Sequence, residues 1–203
     1  MPRKKNLAVI MPSGDNAFYV DGITPNNDYG TFIGEELVYI SRKMFPLSRQ
    51  REDTFIAGLS MGGYGAVRNG LKYAETFGCI AGLSSALHIL DEDAENVAGE
   101  SGIFGDMKKA RKSDKNPAVL LDGFRTNGKH IPKSYLACGL QDSLIDANRR
   151  YRDLFQKAGA DITYVEVAGG HDWEFWDRQI KKVIDWLPLD QEEGSLGSGN
   201  VKA

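Results

Sequence analysis

The feature that most constrains the fold is a serine between two glycines, where an apolar run meets a helical pattern. Residues 54–66 read Thr-Phe-Ile-Ala-Gly-Leu-Ser-Met-Gly-Gly-Tyr-Gly-Ala. The run from Phe55 to Leu59 predicts a buried parallel strand, and an apolar-periodic helix follows Ser60 directly. Gly-x-Ser-x-Gly in this context is typical of a nucleophile elbow, a sharp turn that exposes one hydroxyl above the sheet edge.

The two glycines of this motif have a physical reason. A turn this sharp strains the serine backbone, and we expect Gly58 and Gly62 to lack side chains so that strand and helix do not collide. The turn also directs the backbone N–H of Met61 and the start of the helix at the space beside Ser60. We therefore predict Ser60 as a nucleophile and Met61 N–H as an oxyanion donor. With 23 glycines in the chain a chance match is the alternative.

A histidine near the end of the chain is the predicted base. A serine hydroxyl is a weak nucleophile until a base takes its proton, and an acid must hold that base in the right tautomer. For this elbow the chain order is serine, acid, histidine. The histidines are His88, His130 and His171. Only His171 follows both the serine and an acid placed after a strand, and it lies directly after the last apolar run.

The acid is expected just past the apolar run that ends at Cys138, where Asp142 stands. Asp146 is the rival, but it also suits the N-cap of a helix predicted at Ala147–Ala158, which explains it without catalysis. Asp172, beside the histidine, is expected to bind backbone N–H groups of its own loop. Asp142 is therefore the preferred candidate.

Three motifs together resemble the esterase D group of α/β-hydrolases: Phe55 to Ala66, Asn6 to Ser13 upstream, and Gly169 to Trp173 downstream. Within that group the chain looks most like the bacterial tributyrin esterases, and more distantly like S-formylglutathione hydrolases and feruloyl or acetyl esterases. The resemblance covers nearly all of residues 6–190. It implies an α/β-hydrolase fold and short-chain acyl esters as substrates, and it puts the family's catalytic aspartate at Asp142.

Apolar runs and helical patterns alternate along the chain, which predicts an α/β fold with a mostly parallel sheet and helices on both faces. The further predicted strands are Leu7–Met11, Cys79–Leu83, Ser134–Cys138 and Ile162–Val167. The predicted helices are Thr31–Phe45, Gly63–Phe77, Ala147–Ala158 and Glu174–Leu187. We expect a single domain over residues 1–189, with an irregular, cap-like insertion at 85–132 and a flexible tail at 190–203.

The chain departs from the group it resembles at its N-terminus. The related enzymes have more chain before the strand that resembles Leu7–Met11, and the resemblance implies that this part carries the first strands and a loop donating a second oxyanion N–H. We therefore expect an N-terminally shortened fold, with one absent strand between Leu7–Met11 and Phe55–Leu59. The sheet then closes up directly, another chain supplies the strand, or the chain is an incomplete product of a longer gene. An exposed sheet edge would favour a homo-oligomer.

Aromatic residues near the predicted serine are candidates for substrate binding. Phe18 and Tyr19 lie in the loop Gly14–Gly30, at the sheet edge where ligands bind in such folds, although loop aromatics also often fill a local core. Trp173 follows the predicted histidine and is a candidate border of the acyl or alcohol pocket. Trp176 falls on the apolar stripe of the last helix, where core packing explains it.

Composition excludes several classes of function. Charged residues make up 26% of the chain and the net charge is −3, so no nucleic-acid groove is indicated. The apolar runs are far shorter than the roughly 18 residues of a membrane span. No metal-ligand spacing or dinucleotide fingerprint is present, so neither metal nor cofactor is expected. Cys79 and Cys138 should be buried free thiols, and Asn6 to Met11 is too short for a signal peptide, which predicts a cytoplasmic protein.

These patterns predict a serine carboxylesterase whose partner is a small-molecule ester. Ser60, His171 and Asp142 would form its triad, and the reaction would pass through an acyl-enzyme. Two alternatives stay open. One is a non-catalytic or incomplete scaffold without a full oxyanion hole, and the other is an acyltransferase that uses the same triad.

Overall fold

One parallel sheet organises the part of the chain that the computed structural model describes, residues 6–92, 103–128 and 130–189. Its strands are β1 (Phe55–Leu59), β2 (Cys79–Leu83), β3 (Lys133–Gly139) and β4 (Ile162–Val167). They pair in parallel in the spatial order β1-β2-β3-β4. The carboxyl ends of all four strands therefore meet at one edge. These four predicted strands are confirmed to within a residue, and the predicted tail lies outside the described residues.

Helices precede, connect and follow the strands. They are α1 (Tyr29–Thr31), α2 (Leu37–Met44), α3 (Met61–Lys72), α4 (Met107–Ala110), α5 (Pro117–Asn127), α6 (Ile145–Lys157) and α7 (Trp173–Trp186). A π-helical turn, Phe32–Glu36, joins α1 to α2, and a 3₁₀ turn, Arg51–Asp53, precedes β1. The helix predicted at Thr31–Phe45 is thus present, but it contains a wider turn that periodicity alone does not reveal.

Helices cover both faces of the sheet. Successive side chains of a strand point to opposite faces, so the apolar residues of each strand need a cover on both sides. Leu136 of β3 packs in one apolar cluster with Val67 of α3 and Phe155 of α6. Its neighbour Tyr135 belongs to a second cluster with Phe175 of α7. Because successive side chains of a strand point to opposite faces, α3 and α6 lie on one side of the sheet and α7 lies on the other. The prediction of a parallel sheet between two helical layers is confirmed.

The strand predicted at Leu7–Met11 is wrong. Residues 6–13 contain neither helix nor strand. Val9, Ile10 and Met11 are 67%, 43% and 88% exposed. An apolar run shows that a segment can be buried, but a strand forms only where a neighbour offers hydrogen bonds, and this segment has none among the described residues. The described sheet therefore begins at β1, which has a partner on one side only.

The predicted cap-like insertion is partly ordinary core structure. Within it, α4 and α5 are capped by the side chains of Asp106 and Asn116, which accept hydrogen bonds from the first backbone N–H groups of each helix. α5 packs against α3 and α6, and its Leu121 is buried in the main cluster. Residues 93–102 of the insertion lie outside the described residues. A role as a cap over the site remains a prediction.

Candidate active site

Ser60 is the single residue between β1 and α3. Its backbone has φ 53° and ψ −118°, a combination that few residues other than glycine adopt. The main chain is held in this strained form by hydrogen bonds on both sides. Ser60 N–H donates to Leu83 O at 2.9 Å, and Ser60 O accepts from Ala86 N–H at 3.0 Å and from Tyr64 N–H at 3.1 Å. The end of β2 and the first turn of α3 thus fix the turn that carries the hydroxyl.

The two glycines of the motif turn out to be unequal. A Cβ built on Gly58 would lie 2.1 Å from the carbonyl oxygen of Gly62, so a side chain at position 58 has no room. A Cβ built on Gly62 would meet only the ring of Tyr19, at 3.8 Å, which is an ordinary contact. The steric expectation is therefore confirmed for Gly58 and wrong for Gly62.

His171 lies between Ser60 and Asp142. Its Nε2 is 2.9 Å from Oγ of Ser60, and its Nδ1 is 2.9 Å from Oδ2 of Asp142. When Nδ1 carries the proton and donates it to Asp142, Nε2 is free to accept the proton of the serine hydroxyl. The structure therefore brings together the three residues that the sequence singles out, in an order suited to proton transfer.

Asp142 is held as a carboxylate. Its side chain is buried, which opposes ionisation, but the neighbouring Ser84 side chain and hydrogen bonds from Leu144 N–H (2.9 Å) and from His171 outweigh burial and hold the pKa of Asp142 below its usual value. Oδ1 is occupied by Leu144 and Oδ2 by His171, so each oxygen has its own partner. A fixed negative charge therefore faces Nδ1 of the histidine.

Adjacent strand ends bring the acid and the histidine together. Leu140 N–H donates to Val167 O at 3.0 Å, and Gln141 N–H donates to Gly169 O at 3.0 Å, so the pairing of β3 and β4 continues into the loops. A Cβ on Gly139 would lie 2.1 Å from Gly169 O, which shows how closely the two backbones approach. Gly169 N–H also donates to Oε1 of Gln141 at 2.8 Å. Sequence reasoning missed Gln141, since its only signal was its place before the predicted acid.

Asp172 and Asp146 have structural roles. Asp172 is the N-cap of α7, where its carboxylate accepts from Phe175 N–H at 2.8 Å and from Gly170 N–H at 3.2 Å, so its predicted binding of loop N–H groups is confirmed. The predicted N-cap role of Asp146 is wrong. Because α6 begins at Ile145, Asp146 lies in its first turn and pairs with Arg149 at 3.2 Å.

Two tryptophans extend from the histidine toward solvent. The ring of Trp176 is edge-on to His171, with centroids 4.9 Å apart, and Trp176 is largely buried. Trp173 is edge-on to Trp176 at 5.3 Å and is 74% exposed. The core packing expected for Trp176 is confirmed. The structure leaves a large apolar side chain open to solvent two residues from the imidazole.

The two loop aromatics are placed differently from each other. The ring of Tyr19 lies over the first turns of α3, where a Cβ on Gly65 would meet it at 2.7 Å. Its carbonyl oxygen accepts from Asn69 Nδ2 at 2.8 Å. Phe18 packs instead with Phe104, ring centroids 5.5 Å apart, as part of the main core. Both residues have positive φ, 50° for Phe18 and 55° for Tyr19, which is a strained backbone conformation for residues other than glycine.

Among residues 6–92, 103–128 and 130–189, no group of three or more histidines, cysteines or carboxylates could hold a metal ion. None of the helices in that part of the chain has the length and apolar character that crossing a membrane requires. His88 and His130 form no hydrogen bond with Ser60, His171 or Asp142 among the described residues.

Comparisons with known proteins show which family and which structures this chain resembles. The Esterase family model, described as "Putative esterase", matches residues 4–187. An acetyl esterase of Caldicellulosiruptor saccharolyticus is 41% identical over 191 residues, which cover 90% of this chain and 72% of that protein. Both comparisons extend over almost the whole of the described structure.

Two solved structures from Staphylococcus aureus are similar in fold and sequence. The fluorophosphonate-binding serine hydrolase F superposes with a TM-score of 0.74 at 30% identity, over 85% of this chain and 68% of that one. An S-formylglutathione hydrolase superposes with a TM-score of 0.73, again at 30% identity and with the same shares of the two chains. The architecture is therefore that of the α/β-hydrolase esterases.

Proposed function

Because the chain belongs to the Esterase family and is a carboxylic ester hydrolase, we propose that it cleaves short-chain acyl esters with a catalytic triad of Ser60, His171 and Asp142. One observation carries the proposal: the imidazole of His171 lies 2.9 Å from the serine hydroxyl on one side and 2.9 Å from the carboxylate on the other. A hydroxyl, a base and an orienting anion in this order are what nucleophilic acyl transfer requires.

The reaction would proceed in two halves. Oγ of Ser60 attacks the ester carbonyl while Nε2 of His171 takes its proton, and Asp142 stabilises the imidazolium that forms. The tetrahedral intermediate expels the alcohol, which receives the proton from His171, and an acyl-enzyme remains on the serine. Water then attacks the acyl group with the same histidine as base, and the acid and free serine are released.

Met61 N–H is the proposed donor to the oxyanion. Met61 is the first residue of α3, so its N–H has no partner within the helix and lies at the positive end of the helix dipole. Removing one of two oxyanion donors typically lowers kcat by about 10²–10³-fold.

The substrate is proposed to lie between Tyr19 and Trp173. Tyr19 covers the first turns of α3, directly after the reactive serine, and Trp173 stands exposed beside the histidine loop. A short acyl chain is favoured by the relative described as an acetyl esterase.

The test is hydrolysis of p-nitrophenyl acetate by the wild type, Ser60→Ala and Ser48→Ala. Ser48 is exposed and lies far from the site, so its variant serves as a matched control. We expect Ser60→Ala to lose about 10⁶-fold in kcat and the control to keep wild-type activity. Equal rates for the wild type and Ser60→Ala would exclude the triad.

A fluorophosphonate probe separates this proposal from the non-catalytic alternative. Covalent labelling of the wild type but not of Ser60→Ala would exclude a scaffold without a reactive serine, and no labelling of either would support one. Adding an alcohol such as methanol or glycerol tests acyl transfer. Transesterified product formed faster than free acid would assign the triad to a transferase.

We also propose self-association through the open edge of β1. Ala57 in the middle of this strand is exposed, and so are the apolar side chains of Val9, Met11 and Met44. An edge that has no partner strand among the described residues, in a strand without charged side chains, offers nothing that opposes strand pairing between copies. Light scattering should show a dimer that Ala57→Lys converts to a monomer. A monomeric wild type at high concentration would contradict the proposal.

A cytoplasmic location is proposed on the evidence of the thiols. Cys79 and Cys138 are free and buried in the described structure, as is usual in reducing compartments. Fractionation of the native cells should place the esterase in the cytosol. Recovery from the medium or from a cell envelope fraction would contradict this.

A further inference from the structure

The loops that carry Asp142 and His171 are joined by a side chain that no catalytic role explains. Oε1 of Gln141 accepts the N–H of Gly169 at 2.8 Å, while the N–H of Gln141 donates to the carbonyl of Gly169 at 3.0 Å. One residue therefore binds both polar backbone groups of one glycine across the gap between the two loops. We propose that Gln141 is a positioning residue for His171. The inference rests on the proposed function.

The histidine loop needs such a restraint because its own sequence provides little. Gly169 and Gly170 have no side chains, and Gly169 has φ 153°. Glycine loses more conformational entropy on ordering than any other residue, so this stretch is held only by its partners. The N–H of Gly170 is bound by the Asp172 carboxylate at 3.2 Å. Gly169 is bound by Gln141, so each glycine N–H has one side-chain acceptor.

The contact orients the histidine loop because Gln141 lies directly before Asp142 in the chain. Two adjacent residues of one loop hold the other loop at two points, the backbone of Gly169 and Nδ1 of His171. The contact at Nδ1 and the edge-on packing against Trp176, with 4.9 Å between the ring centroids, hold the ring itself but not the backbone that carries it. A second contact two residues earlier fixes the direction in which the ring extends toward Ser60. Asp142 is itself fixed, because Leu144 N–H binds its other oxygen.

The contact should matter for turnover and little for binding. The side chain of Gln141 is exposed, so its hydrogen bond competes with water and contributes little to stability. A shift of about 1 Å in a catalytic group can nonetheless cost about 10² in rate. Loss of the contact would misplace the ring that accepts the serine proton, without altering the surfaces that meet the substrate. We therefore expect kcat to fall while KM is unchanged.

The test compares Gln141→Met, Gln141→Glu and Gln156→Met in p-nitrophenyl acetate hydrolysis. Methionine keeps the length of the side chain and removes the acceptor, glutamate keeps the acceptor, and Gln156 is an exposed control on α6. We expect Gln141→Met to lose about tenfold in kcat, a part of the cost of a full 1 Å shift, with KM unchanged. Gln141→Glu should keep most of the wild-type kcat, and the kcat of Gln156→Met should equal that of the wild type.

A second comparison, made in the His171→Ala variant, distinguishes a role in positioning His171 from a general structural role. In His171→Ala the ring is absent, so adding Gln141→Met should not lower the residual rate further. An equal loss with and without the histidine would overturn the inference, as would wild-type kcat in Gln141→Met. If Gln141→Met does not fold, Gln141→Asn, which is one methylene too short to reach Gly169, takes its place. Wild-type activity in Ser60→Ala would instead reject the proposed function itself.

Discussion

Nε2 of His171 lies 2.9 Å from Oγ of Ser60, although 111 residues separate them in sequence. The distance is short because both residues follow strands whose carboxyl ends meet at the same edge of a parallel sheet. Asp142 follows a third strand of that sheet, directly beside the strand that precedes the histidine. The proximity of these three side chains is thus a consequence of the topology, and as the proposed triad they should act as a unit.

Removing members of the triad should therefore give losses that do not add. We expect His171→Ala to lower kcat by about 10⁶-fold and Asp142→Asn by about 10⁴-fold, with the double variant no worse than His171→Ala. Asp146→Asn is the matched control, since Asp146 pairs with Arg149 on α6. Steady-state hydrolysis of p-nitrophenyl acetate measures all four. A large loss in Asp146→Asn with little in Asp142→Asn would reverse the assignment of the acid.

The two glycines beside the serine should respond in opposite ways to alanine. Gly58→Ala puts a methyl group against the backbone of Gly62, and we expect it to lower the free energy of unfolding by about 3 kcal/mol or more. Gly62→Ala meets only an ordinary contact and lies in a helix, where alanine is favoured over glycine by up to about 1 kcal/mol. Urea unfolding of both variants measures the difference. Equal destabilisation would contradict the geometry of the turn.

The cysteines should be inert in the folded protein. Burial raises the pKa of the Cys79 thiol to about 11 and that of Cys138 to about 12, so neither forms the reactive thiolate at neutral pH. We expect no reaction with Ellman's reagent at pH 8 and no loss of esterase activity. In urea both thiols should react. Rapid modification of the native protein would show that one of the two strands opens readily.

Acid should weaken the fold in part through Asp142. Burial of Asp142 opposes its ionisation, but its hydrogen bonds hold its pKa below the ordinary value. The carboxylate therefore stabilises the native state above the pKa it has in the unfolded chain, and this contribution is lost as pH falls through the lower native pKa. The free energy of unfolding between pH 6 and pH 3 should fall more steeply for the wild type than for Asp142→Asn. Parallel curves would contradict the expectation.

The sheet and the candidate triad could be predicted from the sequence. Each depends on local patterns and on the rule that the carboxyl ends of parallel strands lie at one edge of the sheet. Apolar runs located β1 to β4, and the strict order of serine, acid and histidine selected His171 from three candidates. The acid followed from the end of β3. These inferences need no knowledge of the interior beyond the fact that parallel strands end at one edge.

The features that could not be predicted from the sequence depend on contacts between segments that are distant along the chain. The run at Leu7–Met11 has the composition of a buried strand, yet no strand lies beside it in the described structure. Within the helix predicted at Thr31–Phe45, Ile33 is buried while Met44, also apolar, is 69% exposed. No sequence pattern points to Gln141, because its role depends on a contact with the backbone of a loop 28 residues away.

The strand that precedes Ser60 is also one of the two edge strands of the described sheet, β1 and β4. β3 is tied on both sides, whereas one side of β1 meets no ladder partner among the described residues. Such strands fray at a lower free energy than the centre of the sheet. Mild denaturant should therefore abolish ester hydrolysis while the far-UV circular dichroism spectrum is still that of the native protein. An inactive sample of this protein can thus remain folded.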